Sequence, residues 1–178
     1  LSTMPSPASS EYNSLIISDL HLGEDLSPAA SEANTLHIDI VERQLAAFMR
    51  YYARRREDGR AWRLIINGDL VDFLAVTLFP DHEDFADYKA DADEREFGLK
   101  RKPAVAEAKM RAVVARHPTF FRAMARFLSR GNLVEIISGN HDTEFHWKGT
   151  QDAMSDGVAT AWASMPESAR AGAASPEE

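Results

Sequence analysis

The sequence predicts an α/β domain built on a parallel sheet. Two observations carry that expectation. Three short apolar runs, at residues 14–19, 63–67 and 133–137, have the length and the Ile, Leu and Val content of buried strands. Between them lie longer stretches whose apolar residues recur every three or four positions, the period of a helix. Strands alternating with helices imply crossovers, and right-handed crossovers place helices against the sheet.

Residues 1–13 are rich in Ser and Pro and lack both a basic start and an apolar centre. They read as a flexible lead-in and not as a signal peptide. The chain opens on Leu1, with Met4 as an alternative start. In 35–57, Leu36, Ile40, Val41, Leu45, Phe48, Met49 and Tyr52 share one helical face. Asn34 or Thr35 is the expected cap, and Gly59 stands past the end. Residues 73–79 read as helix or loop, closed by Pro80. Residues 81–96 hold eight acidic and two basic side chains, the pattern of a solvated surface loop or helix.

The charge reverses in 100–130, which holds nine basic residues and one acidic. Pro103 suits a helix start, with Val105, Val113 and Val114 facing inward. His117-Pro118 breaks that helix and opens a second, with Phe121, Met124, Phe127 and Leu128 inward and Gly131 as its stop. A solvated helix face explains these basic residues, though the acidic and basic stretches could also pair across an insertion. Residues 150–165 read as a helix and 166–178 as a flexible end, so the expected domain spans 14–165.

Composition narrows the function. The formal net charge of −8 disfavours non-specific nucleic-acid binding through phosphate neutralisation. It leaves open an enzyme that handles phosphates through bound cations. The absence of cysteine excludes disulfides, thiolate metal sites and a thiol nucleophile, and fits a cytoplasmic setting. The longest strongly apolar run, 73–79, falls far short of the about 20 residues of a membrane span.

The chemistry gathers behind the three strands. Ser18-Asp19-Leu20-His21 follows the first, Gly68-Asp69-Leu70-Val71-Asp72 the second, and Gly139-Asn140-His141-Asp142 the third. Parallel strands carry all three clusters to one sheet edge, where open α/β sheets bind ligands. Gly68 and Gly139 permit sharp turns there. Carboxylates and imidazoles crowded together repel or lose solvation unless a cation joins them. Oxygen and nitrogen donors of this kind suit Mn, Fe, Zn or a similar divalent ion. Asp19 and His21 lie two apart, so in an extended chain they face the same side. A carboxylate such as Asp69 can bridge two ions about 3.5–4 Å apart.

In order and placement these motifs resemble those of the calcineurin-like metallophosphoesterases. The resemblance covers roughly residues 14–147 and implies a layered α-β-β-α sandwich. It also implies a metal-dependent hydrolase of phosphoric mono- or diesters, attacking phosphorus with a metal-bound hydroxide. By position, Asp19 and His21 would bind the first ion, Asp69 would bridge both, and Asn140 would bind the second. His141 would touch the phosphate and protonate the leaving oxygen, with Asp72 orienting it and Asp142 behind. The substrate is then a phosphate ester, and nucleic acid enters only as a substrate. Relatives acting on UDP-sugar lipids usually carry Arg where His141 stands.

The family's pattern continues with a further His and a Gly-His-x-His cluster on later strands. Here no His follows His146, and the second half of the sandwich is missing. The expectation is the N-terminal part of a longer protein; a chain ending here would bind metal weakly and catalyse poorly. A truncated, non-catalytic metal- or phosphate-binding module is the alternative, and a structural interaction domain a third reading. Of the other histidines, His37 and His82 read as surface residues, His117 as a capping or packing residue, and His146 as packing beside Trp147.

Overall fold

The computed structural model describes residues 11–171. Expectations for 1–10 and 172–178 lie outside the described residues. Three strands, β1 (Tyr12–Ile17), β2 (Ala61–Asn67) and β3 (Leu133–Ile137), form one parallel sheet in the order β1-β2-β3. Helix α1 (Glu32–Ala53) connects the first pair. Helices α2 (Ala92–Phe97), α3 (Pro103–Arg116) and α4 (Pro118–Ser129) lie between the second pair. Helices α5 (Lys148–Ala163) and α6 (Glu167–Ala171) follow β3. This is the expected α/β class, a three-stranded parallel sheet flanked by helices. No helix among the described residues is long and apolar enough to cross a membrane.

Both crossovers step in the same direction across the sheet, so a common hand puts their helices on a common face. The strand registers show the result. Leu15, Leu64 and Val134 form one inward row, and Ile17, Ile66 and Ile136 another. These rows pack against Met49 of α1, Met110 and Val113 of α3, Phe120, Phe121, Met124 and Phe127 of α4, and Met154 of α5. The opposite face carries the rows Ser14–Arg63–Leu133 and Ile16–Ile65–Glu135, with Asn67 beside Ile137. Ile16 is 67% exposed and Ile137 49% on this face, so the described helices pack on the other one.

Several boundaries differ from the sequence reading. β1 starts at Tyr12 and β2 at Ala61, each two residues early. α1 starts at Glu32 because Ser31 caps it. The Ser31 hydroxyl accepts from Asn34 N–H at 3.3 Å, and Asn34 Oδ1 accepts from Ser31 N–H at 3.1 Å. Ser31→Ala should therefore cost about 1 kcal/mol, read as a lower denaturant midpoint with unchanged slope. Leu36 and Ile40, expected inward, are exposed. The buried stripe is Ile38, Glu42, Ala46, Met49 and Ala53. A charged residue enters it because Glu42 Oε1 accepts the Thr119 and Phe120 N–H groups, each at 2.9 Å, at the start of α4.

The acidic stretch is more than a solvated loop. Phe85 joins Leu78, Leu99, Val105 and Ala108 in a second small core. Glu94 is buried, and its carboxyl is held down to about 2, first by the Tyr88 hydroxyl and then by Lys102. Asp84 pairs with Arg111 at 2.9 Å, and Asp91 pairs with Lys100 at 2.5 Å. The two oppositely charged stretches thus pair residue by residue.

Candidate metal centre

The three parallel strands deliver their following loops to one edge, and the backbone joins those loops there. Leu20 and His21 donate N–H to Asp69 O at 2.9 and 3.0 Å, and Leu22 donates to Leu70 O at 2.9 Å. Gly68 N–H reaches Ile137 O at 2.9 Å, and Phe73 N–H reaches His141 O at 3.2 Å. Leu22 and Val71 form a further parallel bridge. The loops are therefore fixed relative to one another before any ligand arrives.

The backbone at this edge is strained. Asp19, His21 and Asp69 have φ of 56°, 48° and 52°. They are three of the four non-glycine residues with left-handed backbone among the described residues. Such positions cost about 1–3 kcal/mol each and persist only where the surroundings enforce them. The fourth, Asp58, sits in the tight turn with Gly59 that leads into β2.

The strain brings polar side chains together. One donor atom each of Asp19, His21 and Asp69 lies within 4.8 Å of the others. His21, Asp72 and His141 form a second such group. The rings of His21 and His141 meet edge to face with centroids 4.8 Å apart. Asp72 Oδ2 lies 3.9 Å from His21 Nδ1, and its Oδ1 lies 3.2 Å from His141 Nδ1. That last approach is within ion-pair range but off the line of a straight hydrogen bond. Asp72 raises the pKa of His141 above its ordinary value, with Asp69 and Asp142 adding to the effect and burial opposing it. Asp72 Oδ1 also accepts the Leu74 and Ala75 N–H groups, at 3.0 and 3.1 Å, which fixes the carboxylate. Asn140 stands exposed at the same strand end, between Gly139 and His141.

Asp142 has a clearer part than the sequence suggests. It is fully buried, with Oδ2 accepting Leu70 N–H at 2.8 Å and Oδ1 accepting Gly139 N–H at 2.5 Å. It ties the third loop to the second. Asp69 makes the reciprocal tie, its Oδ1 accepting His141 N–H at 2.9 Å.

One supporting residue, Lys109, escapes the sequence reading, and for His117, expected to cap or pack, the partner does, because both partners are remote in the chain. Lys109 of α3 donates to Phe73 O at 2.8 Å, bracing the segment whose N–H holds His141 O. Burial lowers the pKa of this ammonium. His117, at the junction of α3 and α4, accepts Gly23 N–H on Nε2 at 3.2 Å across 94 residues. The sequence signals were a Lys in a basic helix and a His before a helix-breaking Pro; neither named the partner. His37 is exposed, as expected. His82 is half-buried and caps the Glu83–Phe85 turn through Asp84 N–H. His146 stacks obliquely against Trp147 and is exposed.

No family model, curated sequence or solved structure matches this chain.

Proposed function

We propose that this chain is the N-terminal part of a calcineurin-like metallophosphoesterase, a metal-dependent hydrolase of phosphoric mono- or diesters. The observation that carries the reading is the meeting of Asp19, His21 and Asp69 on three strained backbone positions at one sheet edge. Three donors in mutual reach fit one divalent ion, and a carboxylate–imidazole set suits Mn, Fe or Zn. Asp69 and Asn140 are the donors offered to a second ion, which needs further ligands from elsewhere. Bound there, the ions would acidify a water and offset phosphoryl charge. His141 then hydrogen-bonds the phosphate and gives its proton to the leaving oxygen. Asp72 orients the ring and stabilises its charged form. Asp142 and the Phe73–Lys109 brace hold the loop that carries His141.

The sheet supports the architecture in this reading. Parallel sheets normally bury both faces. Here one face is covered and the other presents Ile16, Leu133 and Ile137, with Ile65 half-buried among them. In the proposed four-layer sandwich a second sheet lies on that face. Beside β3, an apolar groove of about 580 Å³ runs under α5, lined by Val134, Ile136, Met154, Val158 and Trp162. A further strand at the free edge of β3 would fill it.

The His21–Asp72–His141 group favours a second reading, a non-catalytic module in which His141 is itself a ligand. One variant separates the two. In the first reading, His141→Ala lowers hydrolysis of bis-p-nitrophenyl phosphate by about 10²–10⁴-fold in the form carrying the remaining ligands. Mn²⁺ affinity stays unchanged. In the second, Mn²⁺ affinity falls and there is no turnover to lose. Loss of metal together with activity would remove His141 from its acid role.

A further inference from the structure

The side chain of His117 is fully buried, 94 residues along the chain from the loop that it touches. Its Nε2 accepts the Gly23 N–H at 3.2 Å. An acceptor nitrogen must carry no proton, so the ring is the neutral tautomer with its hydrogen on Nδ1. That nitrogen faces Glu42 Oε2 at 3.6 Å. Burial, opposed by the nearby charges of Glu42 and Asp25, lowers the pKa of His117 and agrees with the neutral form. The groups around the ring are Asp25, whose Oδ1 lies 3.7 Å from Nε2, Glu42 on α1, and its neighbour Arg116. Arg116 pairs with Asp25 at 2.6 Å and with Asp39 at 2.7 Å.

Gly23 lies two residues after His21 and opens the short turn Glu24–Leu26. His21 O accepts Glu24 N–H at 3.2 Å, and Gly23 O accepts Leu26 N–H at 2.9 Å. The His21 carbonyl and the Gly23 peptide thus belong to one hydrogen-bonded turn. A Cβ on Gly23 would come within 2.7 Å of Val76 and 3.0 Å of Val113, so the turn is seated against α3 as well. Holding the Gly23 N–H therefore restrains the turn that the His21 carbonyl closes, next to the left-handed backbone of His21.

We propose that His117 is the positioning residue of the Asp19–His21 metal loop, acting through its Nε2 acceptor on Gly23. The inference rests on the metal-binding reading of Asp19, His21 and Asp69. It extends the site to a residue on the α3–α4 junction that touches no ligand. It also distinguishes the two ring nitrogens: Nε2 bonds the loop, whereas Nδ1 only faces Glu42 Oε2 at 3.6 Å.

Two amide variants separate the two nitrogens. In His117→Gln the side-chain oxygen reaches toward the place of Nε2, whereas in His117→Asn the shorter amide reaches only toward that of Nδ1. Amide hydrogen exchange at Gly23 and Mn²⁺ affinity by electron paramagnetic resonance are measured on the whole chain, with thermal stability alongside. The expected result is that His117→Gln keeps Gly23 protected and keeps Mn²⁺ affinity close to wild type. His117→Asn should lose the protection and about 10–100-fold in Mn²⁺ affinity, the range seen when a residue behind a metal ligand is removed. If affinity and Gly23 protection merely track melting temperature in both variants, His117 is a packing residue and the proposal is wrong. If wild type itself binds no Mn²⁺, the metal reading fails. The Gly23 exchange difference then still decides whether His117 holds the loop.

Discussion

Alanine in place of Asp69 should abolish divalent-metal binding and, in the form that carries the remaining ligands, phosphate-ester hydrolysis. Asp69 is the residue on which both halves of the proposed site depend. Its carboxylate meets Asp19 and His21, and its Oδ1 also holds the His141 backbone N–H. Residues that only support a metal ligand are worth about 10–100-fold in affinity, so removing a bridging ligand should exceed 100-fold. The lost backbone tie adds a structural cost, because a part-buried N–H is left without its partner. Asp69→Asn separates the two effects. Its side-chain oxygen still accepts from His141 N–H, but the charge is gone. The expectation is near-native stability with metal affinity almost as low as in the alanine variant. Mn²⁺ binding by electron paramagnetic resonance, with melting temperature alongside, checks both. Wild-type affinity in Asp69→Ala would sink the proposed centre.

The contrast between these variants reflects how the site is built. A strand end in a parallel sheet is a natural place for a ligand, because the loops there converge without lengthening the chain. That convergence was legible in the sequence. Three apolar runs, each closed by Asp, His or Asn, suffice to place Asp19, Asp69 and His141 at one edge. Their dependence on left-handed backbone was not legible. Asp and His carry no such preference as strong as glycine's, and the enforcing contacts are backbone bonds between loops far apart in sequence. Gly68, with φ of 86°, was the visible part of that demand, whereas Gly139 serves the close approach to Asp69 and not a left-handed turn. The role of Asp142 was hidden for the same reason: its acceptor bonds run to Ser138 and Gly139 and, across 72 residues, to Leu70.

Helix faces failed where a polar residue belonged inside. Periodicity assigns apolar side chains to the core, so it placed Leu36 and Ile40 inward. The actual register instead turns Glu42 inward, because the buried first N–H groups of α4 need an acceptor. No pattern within α1 records that need. Glu94, expected in a solvated acidic stretch, is buried for a like reason. Tyr88 and Lys102 surround it, and the second small core closes over the stretch. The one-sided sheet, by contrast, follows from topology. Strand order β1-β2-β3 with crossovers of one hand puts the described helices on one face and leaves Ile16, Leu133 and Ile137 exposed on the other.

Gly139 offers the sharpest test of the loop architecture, because it has no freedom to accept a side chain. A Cβ built there would lie 2.7 Å from Asp69 N and 2.8 Å from Asp69 Cγ. Neither atom belongs to a flexible end that can swing away. Asp69 N lies in the loop clamped by the Leu20 and His21 bonds, and the carboxylate is the proposed bridging ligand. Gly139→Ala must therefore push the third loop off the second or turn the Asp69 carboxylate out of place. Overpacking of this kind costs about 1–3 kcal/mol. The functional loss should be far larger than the stability loss, with Mn²⁺ affinity falling about as far as in Asp69→Ala while the far-ultraviolet circular dichroism is retained. Gly131→Ala is the control. Its Cβ would meet nothing within 4 Å, although φ of 74° makes alanine strained there. That variant should lose about 1–2 kcal/mol of stability and none of the metal affinity. Equal Mn²⁺ affinity in both glycine variants would mean that the contact between the second and third loops does not shape the site, and that Asp69 acts without the neighbour that now fixes it.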